Sequence, residues 1–151
     1  MAKKTGFRAN FTAADFRREL EKRWDQINKA IILNLQVLGE ELVNHARSVD
    51  TYKDQTGNLR ASIGYVLVVH GKIYSHFFPD TKIGAKNGRD LAEQLAVKAM
   101  KGFALIVVAG MDYAAAVESK GYDVLASAEL KASSELPKVK AEMLRKIKNM
   151  R

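Results

Sequence analysis

Between Phe16 and Leu42 the apolar side chains return every three or four residues, at Phe16, Leu20, Trp24, Ile27, Ile31, Leu35, Leu38 and Leu42. Such spacing gathers into one stripe on an α-helix, and it predicts a helix from about Thr12 to Arg47. Thr12 has the side chain of an N-cap, and Asp15 follows three residues later, where the positive helix end favours it. Phe11 and Phe16 have the spacing of a hydrophobic staple. Gly39 interrupts the pattern at a cost of about 1 kcal/mol relative to alanine. At 1.5 Å per residue this helix is about 50 Å long, more than a small domain needs, so its early part is expected to project. Ile31 to Leu42 is expected to pack on the chain's own sheet. A seam to a second copy of the chain is the other partner this stripe would fit.

Beyond the polar connection Asp50 to Gln55 the period shortens. Ser62 to Val69 is rich in β-branched and aromatic residues, His70-Gly71 fits a two-residue turn, and Lys72 to Phe78 would return as the hairpin partner. Pro79 to Arg89 combines a proline, two glycines and several charges, and reads as an exposed loop. Asp90 would then cap a short helix from Leu91 to Met100. Phe103 to Ala109 reads as a strand, and the unbroken Leu105-Ile106-Val107-Val108 suits one covered on both faces. After Tyr122-Asp123-Val124-Leu125, a final helix runs to about Asn149, with Leu136, Val139, Met143, Ile147 and Met150 on one face. Pro137 removes a backbone donor inside it, so the helix either kinks there or restarts with Ser133 or Ser134 as a new cap. The expected class is α+β: a long N-terminal helix, a small, mostly antiparallel sheet with helices packed on it, and an amphipathic C-terminal helix.

The length of 151 residues fits a single domain over residues 1–151, with residues 1–11 expected to be flexible. No apolar run reaches 18 residues, so no membrane partner is expected. Met1-Ala2-Lys3-Lys4 is followed by no apolar segment and is not expected to be a secretory signal. The absence of cysteine excludes disulfides, thiolate zinc sites and cysteine nucleophiles. A protein used in a cytoplasm, or carried in a particle assembled there, is the expectation.

Net charge is +8, and its distribution matters more than its size. Residues 1–30 hold eight Lys/Arg against four Asp/Glu, residues 137–151 hold six against one, and the middle holds eleven against twelve. The basic excess therefore sits at the two ends. These ends suit DNA phosphates, an acidic protein partner, or simply solvent.

Catalytic chemistry is not expected. His45, His70 and His76 are scattered without a second histidine at helical spacing, and no metal or cofactor is anticipated. His45 reads as a polar residue near a helix C-terminus. Gly84-Ala85-Lys86-Asn87-Gly88 lacks the Gly-Lys-Ser/Thr ending of a phosphate loop. Ser62, Ser75 and Ser119 are not in a nucleophile elbow. Asp112 and Glu118 lie six apart with no partner to give them a task.

Two segments carry a resemblance. Thr56-Gly57-Asn58-Leu59-Arg60-Ala61-Ser62-Ile63 joins the long helix to the first strand: Gly57 supplies a turn, Asn58 tolerates unusual backbone angles, and Leu59 and Ile63 anchor the turn in the core. Met111-Asp112-Tyr113-Ala114-Ala115-Ala116-Val117-Glu118 reads as a turn leading from a strand into a short helix, with small alanines for close packing. In this order the two segments resemble the head–tail joining and tail-completion (neck) proteins of long-tailed double-stranded-DNA phages, over roughly residues 40–150. Many relatives follow the glutamate with Phe-Gly-Thr and a proline; here Ser119-Lys120-Gly121-Tyr122 stands instead, and the Leu91–Met100 segment is extra. The resemblance implies a non-enzymatic virion protein, assembled in the host cytoplasm, that forms a ring with copies of itself and contacts head-connector and tail proteins, with packaged DNA as a further contact. Candidate contact residues are Arg60, Lys82, Lys86 and Arg89, together with Tyr113, Lys138 and Arg145. Arg60 is either a core-edge ion pair or an intersubunit contact, and Tyr113 offers a large surface with a polar tip. Deleting residues 80–88 is expected to spare the fold and impair particle assembly. The alternative is a nucleic-acid-binding module using the basic ends, although no helix-turn-helix pattern or aromatic-basic sheet face accompanies them.

Overall fold

A computed structural model describes residues 5–150. The expected stripe forms α1 (Ala13–Ser48), an unbroken 36-residue helix. The Thr12 side chain accepts from Asp15 N at 3.1 Å, and the Asp15 carboxylate accepts from Thr12 N at 3.0 Å. Two otherwise unpartnered backbone donors are thereby satisfied. Residues 5–26 are exposed throughout, and burial begins only at Ile27. From Ile32 to Ala46 the stripe is buried. Of the segment expected to be flexible, residues 1–4 lie outside the described residues, and residues 5–11 have no regular secondary structure.

A four-residue helix, α2 (Asn58–Ala61), leads into β1 (Ile63–Val69). β2 (Lys72–Phe77) and β3 (Phe103–Ala109) flank β1 antiparallel, in the order β2-β1-β3. Tyr65 stands opposite Phe77 on one side and Val107 on the other. Alternate residues of β1 serve two cores, as strand geometry requires. Ile63, Tyr65 and Leu67 face α1 and pack with Val43, Ala46, Val124 and Ala128. Val66 and Val68 face the opposite side and pack with Val108, Ala92 and Ala96. β1 is thus the strand covered on both faces, whereas β3 is an edge strand and mostly half-buried. Together with α3 and α5, described next, this is the α+β architecture the periodicities imply.

One expectation needs correction. Pro79–Arg89 is not a loop: α3 spans Ile83–Ala96, so the helix begins eight residues early and Asp90 lies inside it rather than capping it. The glycines that suggest a loop serve close packing instead. A Cβ on Gly84 would overlap the Asn58 carbonyl, and one on Gly88 would overlap the Ser62 carbonyl. Gly84, Ala85 and Gly88 are buried, so residues 80–88 are part of the folded body and their deletion would not spare it. Of the two alternatives at Pro137, the restart is excluded: α5 (Ala126–Lys148) runs through Pro137 without a break at Ser133 or Ser134. Their hydroxyls bond back to Glu129 and Lys131 carbonyls within the helix. Gly39 also gains a reason: a Cβ there would sit 2.8 Å from the Tyr65 ring, so the missing side chain lets α1 approach the sheet.

Candidate interaction site

The segment 56–63 builds a corner at the end of α1. Gly57 takes the left-handed conformation (φ 72°), and Asn58, expected to absorb unusual angles, is the first residue of helical α2. The Asp54 carboxylate accepts from Arg60 N at 2.8 Å and Leu59 N at 3.4 Å, capping α2 from outside it. Leu59 and Ile63 are buried, as their anchoring role requires. The Arg60 guanidinium lies 4.8 Å from the centre of the Tyr52 ring and donates to the Val49 carbonyl at 2.9 Å. Its contact with Asp50, at 3.3 Å, reaches a carboxylate that is 95% exposed. Of the two roles open to Arg60, the core-edge one is occupied within the chain. Burial raises the Tyr52 phenol's pKa, with nearby Arg60 opposing and Asp54 adding to the shift.

Arg47 ties the corner to the segment before α3. It donates to the Arg60 carbonyl at 2.6 Å and meets Asp80 at 3.6 Å. The Lys82 backbone N–H, donating at 3.0 Å, is the main cause of the lowered Asp80 pKa. Lys82 Nζ donates to the Thr56 carbonyl at 3.3 Å, joining this segment to the motif. Arg60 and Lys82 are therefore brought to one corner. Lys86 and Arg89 lie exposed on α3, where Lys86 pairs with Asp90 at 3.6 Å.

The second segment, 111–118, turns after β3 and enters α4 (Ala114–Ser119), as its residues suggest. Tyr113 is the N-cap residue and is 41% exposed. It does not meet the Arg60 corner through any described hydrogen bond or ion pair. The neighbouring Glu118 carboxylate accepts from Leu125 N and Ala126 N at 2.9 and 2.8 Å, and so holds the start of α5. This gives Glu118 a structural task that spacing alone hid. Asp123 accepts from Ser127 N at 3.0 Å; burial raises its pKa, but the hydrogen bonds from Ser127 and the nearby His45 bring it below the usual value. Lys138 and Arg145 stand apart on α5, with Lys138 3.4 Å from Glu135 and Arg145 in the basic last turn.

The two motifs themselves meet. Gly110 N donates to the Ser62 carbonyl at 3.3 Å, and Ile63 pairs with Ala109. Leu59, Ile63, Met111, Ala114 and Val117 belong to one core. Among the described residues no cluster of three His, Asp or Glu side chains is placed to hold a metal. His45 bonds Ser127 Oγ at 2.9 Å, at the junction of α1 and α5 rather than in a cleft.

An apolar concavity lies elsewhere. A cavity of about 590 Å³ opens between α1, β3 and α5. Ile31, Leu35, Leu38 and Leu42 form one wall and Leu136 and Met143 another, with Leu105 and Val107 at the base. Sequence periodicity places each of these on an apolar face but gives no sign that the faces leave a gap. A second, polar cleft of about 470 Å³ lies between α3 and the start of α4, lined by Asn87, Asp90, Asp112 and their neighbours.

Among the described residues no helix is long and apolar enough to cross a membrane. Known protein families, curated proteins and solved structures give no match to this chain.

Proposed function

We propose that this chain is a non-enzymatic virion protein of the head–tail junction of a long-tailed phage, assembling as a ring that joins head to tail or completes the tail. The observation that carries the reading is the meeting of the two motifs. Ser62 and Ile63 pair with Gly110 and Ala109, at the strand end that leads into 111–118, and the two segments share one core. That is the behaviour of a single structural unit, which is what a resemblance carried jointly by both segments requires. Arg60 and Lys82 both have hydrogen-bond partners within their own corner. The exposed front of α1 and the basic turn ending α5 are the surfaces left for neighbouring rings. Such a protein acts by shape and charge complementarity, with its projecting segments settling against partners as they dock. Contact with packaged DNA would fall to Arg145, Lys146 and Lys148.

Electron microscopy of lysates from a phage, or an induced prophage, with this gene disrupted tests the reading. Filled heads beside finished, unattached tails are expected. Tails of uncontrolled length would assign a terminator role instead. Intact infectious particles would reject the head–tail role and favour nucleic-acid binding through the basic ends, whose affinity would fall steeply with salt.

A further inference from the structure

Among the described residues, an apolar arm is exposed and an apolar groove lies open. On the arm, Phe7, Phe11, Phe16, Leu20 and Trp24 are all more than half exposed. The groove is the 590 Å³ opening between α1, β3 and α5, whose charged members are Glu129 and Lys140. We propose that the front of α1 from one copy docks into this groove of a second copy, through Phe16, Leu20 and Trp24.

Three observations select a second copy as the occupant. First, the arm cannot fill its own groove. Residues along one unbroken helix are fixed at 1.5 Å per residue, so Phe16 stands about 22 Å along the axis from Ile31 in the groove wall. Second, the areas fit. With aromatic side chains covering about 150–250 Å² each, Phe16 and Trp24 offer roughly 300–500 Å² when covered. That matches the largest apolar patch of about 300–600 Å² on ordinary monomers, and is about half of the roughly 800 Å² each partner gives to a stable interface. Third, the charges are compatible. Residues 13–26 hold Arg17, Arg18, Lys22 and Arg23 against Asp15, Glu19, Glu21 and Asp25, and the groove has one charge of each sign.

Arm and groove are different surfaces of the same chain, so the contact is heterologous. Repeated, it closes into a ring when the rotation per copy allows. The inference deepens the ring reading and rests on it only for the expectation that copies are neighbours.

The test uses the full chain and its single tryptophan, which lies on the arm. Mass in solution and tryptophan emission are followed from about 1 to 100 µM, a range that reads micromolar association. Self-association with a blue shift of Trp24 is expected. Trp24→Asp removes the arm and Leu136→Asp the groove; each should weaken association at least about 30-fold, the loss expected of a central contact residue. An equimolar mixture should restore a one-to-one pair, since each variant keeps the half the other lacks. In that mixture the only tryptophan belongs to the Leu136→Asp chain, and its emission should shift to the blue. Circular dichroism checks that both variants keep their helices, and Ala132→Glu in the same groove replaces Leu136→Asp if that variant unfolds. A wild-type chain monomeric throughout, association surviving Trp24→Asp, or a mixture that fails to pair would each overturn the contact. A monomer would leave the head–tail role standing, because gene-disruption microscopy reads that role separately.

Discussion

Arg60 illustrates how a side chain with two roles open to it finds partners within its own fold. Its guanidinium stacks on Tyr52 and donates to the Val49 carbonyl, while its carboxylate neighbour Asp50 is in water. Stacking and planar donation are what arginine offers over lysine, and an exposed ion pair contributes little. Arg60→Lys should therefore cost about 1 kcal/mol in urea unfolding, and Asp50→Ala less than about 0.5 kcal/mol. Acidic titration gives a second residue-scale prediction. Asp123 at the start of α5 has a folded pKa below its unfolded value, because the hydrogen bonds from Ser127 and the charge of His45 outweigh burial. Asp15 and Asp80 are shifted the same way by bonds from Thr12 and Lys82. A depressed carboxyl pKa contributes stability that is complete above the unfolded value of about 3.9 and lost as pH falls through the folded value. The melting temperature should thus fall below about pH 4, and Asp123→Asn should flatten part of that decline.

At the scale of elements, α3 and α5 each break a local rule for a tertiary reason or despite a local cost. The first turns of α3 lie so close to α2 and β1 that only glycine fits at Gly84 and Gly88. Gly88→Ala raises intrinsic helix propensity, yet should destabilise by about 1–3 kcal/mol because its Cβ meets the Ser62 backbone. A gain in stability on chemical denaturation would contradict this packing. α5 carries Pro137 in its interior, where the missing N–H and the ring cost up to about 3 kcal/mol. Pro137→Ala should raise the melting temperature without loss of helical dichroism. The same residue adjoins Leu136 in the groove wall, so effects of Pro137→Ala on self-association and on stability are separable measurements.

At the scale of the whole molecule, the apolar surplus and the basic last turn of α5 lie in different places. The surplus lies on the front of α1 and in the groove, and the basic turn ends α5. Self-association through the apolar surfaces should change less than about threefold between 50 and 500 mM salt, since exposed charges are already screened beyond about 10 Å at 0.1 M. Contact with a polyanion through Arg145 and its neighbours would weaken steeply over the same range. Sedimentation in a salt series distinguishes the two.

The sequence by itself determined the elements whose signal is periodic. The stripe from Phe16 to Leu42 gave α1, the β-branched runs gave β1 and β3, and Thr12 with Asp15 gave the helix start, because each depends on neighbours within a few residues. It also determined that Leu59 and Ile63 anchor the corner, since apolar side chains beside a turn have nowhere else to go. Only the tertiary structure decided that Gly84 and Gly88 belong to a helix, that Arg60 is held within its own chain, and that a groove stays open between α1, β3 and α5. The reason is common to all three. Glycine permits both turns and close approach, arginine reaches partners in either direction, and an apolar face looks the same whether or not something covers it. Each ambiguity is resolved only by segments distant in sequence that pack, or fail to pack, against it.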